Sequence, residues 1–171
     1  MSRFAKELVK AAKSQIGIHE VGGNNIGPMI KKYQATTWLT PGPWPWCAAF
    51  VSWCVKNALY YKDVWDEFGI TNLREMSNFR PKLALAYAFE TWGKENGFEI
   101  LDETHEAKLG DIVTFDFSHI GIVIADQTGN YITTIEGNTN VKGQRDSESG
   151  DGVYVKRRHK SSIRSLIRKS V

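Results

Sequence analysis

Cysteine and long hydrophobic runs are scarce in this sequence. Only two cysteines, Cys47 and Cys54, occur among its 171 residues. If both lie on one helix, their Cα atoms are separated by ~10 Å. A disulfide requires less than ~7 Å, so we expect two free thiols. Residues 1–21 contain no continuous apolar stretch, which excludes a secretory signal and a membrane-spanning helix there. We therefore expect a protein that is made in the cytoplasm without its own export signal.

Neither sign of charge is in large excess, because the net charge is only +3. The exception is the C-terminal stretch 156–171, which is rich in lysine and arginine and has no acidic residue. This basic tail favours an anionic envelope surface, or it is simply a solvated terminal strand or helix face. No aromatic residues interleave with the charges, so no nucleic-acid partner is expected. Residues 1–155 have a length suited to a single domain, and we expect a monomer.

The first half of the chain has helical spacing. Phe4, Leu8, Ala12 and Ile16 recur every fourth residue, which predicts an amphipathic helix. Prolines at positions 41, 43 and 45 exclude a helix in that loop, and the apolar run after them predicts a buried helix that begins at about Cys47. A further helix is predicted over residues 81–96, with a proline in its first turn and a glycine after its end.

The second half is rich in β-favouring residues. Strands are predicted over residues 111–117, 119–125, 131–136 and 153–156, with turn residues at 126–130 and a polar loop over 142–152. Helices followed by strands indicate an α+β fold with an antiparallel sheet.

Cys47 lies where a proline-broken loop becomes a helix. Its sulfur would face the free N–H groups and the positive end of the helix dipole, which stabilise a thiolate. A buried structural cysteine is the alternative interpretation of this position alone. Cys54, two turns further along the same apolar helix, is interpreted as a core residue.

A histidine partner for Cys47 must come from elsewhere in the chain. The sequence has four histidines, of which His119 alone opens a predicted apolar strand. It either projects into a cleft or is an ordinary buried histidine of the sheet. Glu136 and Asn138 are two residues apart and share a strand face, so one of them could orient the imidazole, although a plain strand end is the simpler interpretation.

The hairpin between these strands constrains that pairing. His119 and Glu136 can meet only if they stand opposite each other, or two positions apart, on one face. A five-residue turn at 126–130 gives the wrong parity. We therefore predict a four-residue connection or a bulge. A zinc site made of Cys47, Cys54 and His119 is a further alternative, but its spacing differs from that of structural zinc ligands, so no metal or cofactor is expected.

Four segments of the chain form a recognisable set: Trp46-Cys47-Ala48-Ala49-Phe50-Val51, Leu109-Gly110-Asp111-Ile112-Val113, Ser118-His119-Ile120-Gly121-Ile122-Val123 and Glu136-Gly137-Asn138-Thr139. Together they resemble the CHAP family, the cysteine- and histidine-dependent amidohydrolases and peptidases. The resemblance covers residues 11–155 and implies a papain-like α+β fold with peptidoglycan as the substrate. It implies Cys47 as nucleophile, His119 as general base, and Glu136 and Asn138 as orienting partners. The related NlpC peptidases place an aspartate where Trp46 stands here.

The resemblance also guides expectations about ligands and biological role. Some CHAP lysins carry an acidic calcium loop before the cysteine, but residues 22–46 contain no Asp or Glu, so no such calcium site is expected. Trp44 and Trp46 either form a wall of the substrate cleft or belong to the core. The chain looks like a compact phage endolysin that acts on the cell wall after release from the host cytoplasm. A secreted or tail-delivered amidase toxin and a non-catalytic peptidoglycan-binding module are the alternatives.

Overall fold

The structure, a computed structural model, describes residues 1–141 and 150–170. Six α-helices precede the strands in this part of the chain. They are α1 (Arg3–Lys13), α2 (Pro28–Gln34), α3 (Cys47–Ala58), α4 (Lys62–Asp66), α5 (Leu73–Phe79) and α6 (Ala88–Glu95). The strands are β1 (Glu99–Leu101), β2 (Ile112–Phe115), β3 (His119–Val123), β4 (Tyr131–Thr139), β5 (Gly152–His159) and β6 (Ile163–Arg168).

The six strands form one antiparallel sheet in the order β1-β6-β2-β3-β4-β5. Helix α3 packs against β3 and β4, with α1 and α2 against its other sides. The α+β architecture, with N-terminal helices packed on an antiparallel sheet, is therefore confirmed. Among the described residues, no helix is long and apolar enough to cross a membrane.

Helices α1 and α3, which carry most of the helical core, begin where local signals place them. Ser2 caps α1 by accepting a hydrogen bond from the Ala5 amide at 3.0 Å. Phe4, Leu8 and Ala12 are buried as predicted, whereas Ile16 lies beyond the end of α1 and is exposed. Helix α3 begins at Cys47 as predicted, and both cysteines are free.

The helix predicted over residues 81–96 is wrong in its first half. Only Ala88–Glu95 is helical, and a separate helix, Leu73–Phe79, precedes it. Residues 81–87 are held along α3 instead, because the Ser52 hydroxyl donates to the Leu83 carbonyl at 2.9 Å and accepts from the Leu83 amide at 3.1 Å. This tertiary contact stabilises a non-helical course that the local spacing does not reveal.

The basic stretch 156–171 is not a tail after a domain boundary at residue 155. Strand β5 runs across that position, and β6 lies inside the sheet between β1 and β2. The stretch contributes buried residues such as Ile163 and Leu166. Two of its arginines, Arg158 and Arg168, pair with carboxylates of the sheet and its loops. The ion pairs of Arg158 and Arg168, together with the buried Ile163 and Leu166 of β6, explain how a charged sequence forms strands.

The four predicted strands are present, with ends that differ by a few residues. The register of β3 and β4 pairs Ile122 with Ile135 and Val123 with Thr134. Ten residues, 124–133, therefore lie between the paired Val123 and Thr134, so the predicted four-residue connection was wrong. Ten is nevertheless an even number, which gives the parity that brings His119 and Glu136 onto one face. Most of the predicted polar loop, residues 142–149, lies outside the described residues.

The sheet has two covered faces. Ile120 and Ile122 of β3 face the helical core, whereas Val123 packs with Phe115 and Ile132 in a second cluster. Because side chains alternate along a strand, His119 and Gly121 belong to the face of Val123. The candidate catalytic groups of the sheet therefore lie away from the bulk of the helical core.

Candidate active site

Cys47 is the first residue of α3. Its predecessor Trp46 occupies the N-cap position and makes no side-chain hydrogen bond to the first turn. The amide groups of that turn are left for another acceptor, and the helix dipole favours negative charge there. The Cys47 side chain is nearly buried, at 7% exposure. Cys54 is fully buried, and burial raises the pKa of its thiol well above the ordinary value.

His119 and Glu136 form a buried pair. Nε2 of His119 lies 2.9 Å from Oε2 of Glu136, and both side chains are almost completely shielded from solvent. Gly121 makes this contact possible: a Cβ atom added there would lie 2.7 Å from Cγ of Glu136. The glutamate side chain therefore crosses β3 where β3 has no side chain.

Arg158 completes the surroundings of Glu136. Its Nε donates to Oε1 at 3.0 Å and its Nη2 to Oε2 at 2.6 Å, while the Thr134 hydroxyl donates to Oε1 at 2.6 Å. Burial raises the pKa of Glu136, but Arg158 and His119 outweigh it and hold this pKa at about 2. The carboxylate is therefore ionised at neutral pH.

Sequence reasoning missed Arg158 because β5 was predicted to end at residue 156. Strand β5 continues to His159, and its register with β4 brings Arg158 opposite Ile132. Ile132 and Glu136 are four residues apart on β4 and share a face. A predicted strand that continued two residues further, to residue 158, would have included this arginine.

Cys47, like Glu136, raises the pKa of His119. Burial lowers the pKa of His119, but interactions with Cys47 and Glu136 outweigh it and raise this pKa to about 9. Glu136 occupies Nε2, whereas Nδ1 is buried and makes no formed hydrogen bond to any described residue. Nδ1 is therefore the ring nitrogen left for the thiol.

A titration of His119 tests this arrangement. We expect NMR to give a His119 pKa of about 9 in the unmodified protein. The Cys47→Ala variant should show a lower pKa, because the contribution of the sulfur is lost while burial still opposes the charged imidazole. The Cys54→Ala variant is the matched control and should leave the titration unchanged. An identical midpoint in Cys47→Ala would mean that the thiol is not the neighbour of this ring.

Asn138 does not bond to His119. It is fully buried in the left-handed region at φ 53°, and neither its Oδ1 nor its Nδ2 has a hydrogen-bond partner among the described residues. Buried amides are normally hydrogen-bonded, so the Asn138 amide is a buried polar group that no described residue satisfies. Of the two predicted orienting partners, only Glu136 reaches the imidazole.

The two tryptophans before Cys47 differ in their surroundings. Trp46 is completely buried, stacks on Tyr33 with ring centroids 5.5 Å apart, and donates from Nε1 to Oε1 of Glu20 at 2.9 Å. Its predicted role as a substrate-binding ring is therefore wrong, because no face of the ring reaches solvent. Trp44 is partly exposed and donates to the Thr40 carbonyl, so its role in binding stays a prediction.

The chemistry that this arrangement can support is nucleophilic, because a cysteine thiol at a helix N-terminus lies beside an imidazole whose pKa is raised. Within residues 1–141 and 150–170, no group of three or more His, Cys, Asp or Glu side chains could hold a metal ion. A model of the CHAP domain matches residues 39–138, a range that includes Cys47, His119, Glu136 and Asn138 and stops before Arg158. No curated protein matches the chain.

Proposed function

Because the chain belongs to the CHAP domain family, we propose that it cleaves an amide bond of peptidoglycan through a thioester on Cys47. Membership indicates a peptidoglycan hydrolase of the amidase or peptidase type, dependent on a cysteine and a histidine. The observation that carries the mechanism is the buried His119–Glu136 pair, whose imidazole also interacts with Cys47. A nucleophile, a base and an orienting acid in this relation are sufficient for acyl transfer.

In the proposed cycle the Cys47 thiolate attacks the amide carbonyl carbon. His119 donates its proton to the leaving amine as the C–N bond breaks, and the acyl group remains on sulfur as a thioester. The neutral imidazole then takes a proton from water, whose oxygen attacks the thioester and releases the carboxylic acid. The developing oxyanion is stabilised by the Cys47 backbone N–H at the positive end of α3.

Glu136 and Arg158 support His119 in this cycle. Glu136 accepts from Nε2, which fixes the ring orientation and leaves Nδ1 for the thiol. Arg158 keeps that carboxylate ionised in a buried environment, so the imidazolium form remains favoured. We propose that the biological setting is that of a phage endolysin, made in the host cytoplasm and acting on the cell wall after release.

Digestion of purified peptidoglycan tests the proposed reaction. We expect soluble fragments whose mass spectra show hydrolysed amide bonds, with new amino groups appearing in step with the loss of turbidity. Free amino termini on peptides, without an attached sugar, would identify cleavage between sugar and stem peptide, whereas new termini inside the stem would identify an endopeptidase. Fragments that carry only new reducing sugar ends would contradict the proposal, because they require cleavage of the glycan.

A further inference from the structure

His119 follows a tight turn that joins β2 to β3. Phe115 and His119 are paired across the two strands, so three residues, 116–118, form the connection. Ser118, the last of them, adopts φ 56°, in the left-handed region that glycine enters more readily than residues with a side chain. Three-residue hairpin loops commonly place their last residue in this region, and glycine suits it best. The backbone direction at the candidate base therefore depends on a conformation that serine does not favour.

The hydroxyl group of Tyr87 bonds to both ends of this turn. It donates to the Phe115 carbonyl at 2.8 Å and accepts from the Ser118 N–H at 2.9 Å. In a closed β-turn, the carbonyl of the first residue accepts directly from the N–H of the fourth. Here the phenol oxygen bridges these two groups. Both hydrogen bonds are lost if the turn changes its backbone path, so they favour the observed conformation of Ser118.

Helix α6 fixes the position of Tyr87. The tyrosine is the N-cap residue of α6, and Glu90 lies in the first turn of the same helix. The Glu90 carboxylate accepts from the Thr114 hydroxyl of β2 at 3.0 Å and from the Ser165 hydroxyl of β6 at 3.0 Å. Because Thr114 adjoins Phe115, the start of the helix is anchored to the strand that leads into the turn. The phenol therefore reaches the turn from an element that is itself bonded to the sheet.

The turn also contacts the imidazole of His119. The ring of Phe117 stacks on the imidazole, with ring centroids 5.7 Å apart and an interplanar angle of 15°. Nε2 of the same imidazole lies 2.9 Å from Oε2 of Glu136, and such a hydrogen bond weakens steeply as its geometry changes. Misplacing a catalytic group by ~1 Å can lower a rate by about 10²-fold. A change in the conformation of the turn therefore affects the ring on which the proposed reaction depends.

We propose that Tyr87 is a positioning residue for the candidate base, an inference that rests on the proposed function. Its hydroxyl group keeps the 116–118 turn in the conformation that directs His119 toward Glu136 and Cys47. Tyr87 acts through the turn and takes no part in making or breaking bonds. Its contribution therefore belongs to the chemical steps, which set kcat, and not to the binding of substrate.

The first test compares Tyr87→Phe with the double variant Tyr87→Phe/Ser118→Gly. Phenylalanine keeps the ring but removes both hydrogen bonds, so Ser118 leaves the left-handed region and the base loses its orientation. With soluble peptidoglycan fragments as substrate, we expect Tyr87→Phe to lower kcat about tenfold, the factor that the net loss of one hydrogen bond produces, with KM nearly unchanged. Glycine adopts the left-handed conformation without help from the phenol, so the double variant should recover most of the lost kcat.

Tyr61→Phe is the matched control for the loss of a phenol hydroxyl. It makes the same chemical change where the hydroxyl accepts from Nζ of Lys10 at 3.3 Å, and its kcat should match that of the unmodified protein. Equal kcat values in Tyr87→Phe and Tyr61→Phe would overturn the proposal. It would also be overturned if Ser118→Gly restored none of the activity lost in Tyr87→Phe, because the tyrosine would then not act through the turn.

An NMR titration of His119 separates this inference from the proposed function, because it requires no turnover. Burial lowers the pKa of His119, but its interactions with Cys47 and Glu136 raise this pKa to about 9. In Tyr87→Phe the imidazole turns away from these partners while it stays buried, so its pKa should fall, and the double variant should restore it. This result would support the proposal even if the unmodified protein failed to hydrolyse peptidoglycan. A His119 pKa that is the same in Tyr87→Phe as in the unmodified protein would overturn the role of Tyr87, whatever the activity.

Discussion

Cys47→Ala is expected to abolish the release of fragments from peptidoglycan, with a rate that falls by about 10⁴-fold or more. Without the sulfur no thioester forms, and His119 has no nucleophile to serve. Cys54→Ala should retain activity, because Cys54 is fully buried and burial raises its pKa so that it remains a neutral thiol. The measurement is the initial rate of turbidity loss of a peptidoglycan suspension, together with mass spectra of the soluble products.

The pair of cysteine variants is informative because both residues lie on α3. Alanine is the strongest helix former, so Cys47→Ala should leave α3 intact. Cys54→Ala removes a buried atom and costs about 1 kcal/mol of stability. Circular dichroism and thermal unfolding of both variants check that each is folded. Equal activity of both variants and the unmodified protein would eliminate Cys47 as the nucleophile, whatever the family membership indicates.

Helix α3, with Cys47 as its first residue, could be predicted from the sequence because its signals are local. The prolines at 41, 43 and 45 exclude a helix, and the apolar run after them begins one at Cys47. The pairing of His119 with Glu136 needed only the parity of a hairpin and the absence of a side chain at Gly121. Each of these features depends on spacing along a short stretch of chain.

The burial of Trp46 could not be predicted from local spacing. A tryptophan in a proline-rich loop before the candidate nucleophile is compatible with a cleft wall and with the core. Its burial is decided by Tyr33, which stacks on it, and by Gly137, where an added Cβ would lie 2.8 Å from the indole ring. Both partners are distant in sequence, so their contact with Trp46 is a result of packing that no spacing pattern reveals.

The burial of part of the basic C-terminal stretch could not be predicted from its composition, for a related reason. Charged side chains are almost always exposed unless paired, so a run of lysine and arginine indicates a solvated segment. Here β5 crosses that stretch, and the arginine at position 158 is buried because Glu136 on the neighbouring strand accepts two of its hydrogen bonds. The pairing depends on the register of β4 and β5, whose connection includes the undescribed residues 142–149.

Arg158→Met is expected to lower the free energy of unfolding by about 3–5 kcal/mol, since removing one partner of a buried ion pair leaves the other charge uncompensated. The surface pair Arg164–Glu90 provides the control. Its Nε–Oε1 distance of 2.8 Å lies between the 2.6 and 3.0 Å distances of the Arg158–Glu136 pair, but the Arg164 side chain is 47% exposed, so Arg164→Met should cost about 1 kcal/mol or less. Chemical denaturation of the two variants measures both changes. Similar losses in the two variants would contradict a special role for Arg158.

The pH dependence of the stability lost in Arg158→Met tests whether Arg158 acts through Glu136. A carboxyl group whose pKa is lowered from 4.5 to about 2 on folding stabilises the protein above pH 4.5, and this contribution disappears as the pH falls toward 2. Arg158→Met raises the pKa of Glu136 in the folded protein. The stability difference between the unmodified protein and Arg158→Met should therefore be greatest above pH 4.5 and narrow toward pH 2. If the difference were constant over this range, lost packing of the arginine side chain would explain the destabilisation, and Glu136 would not need Arg158 to remain ionised beside His119.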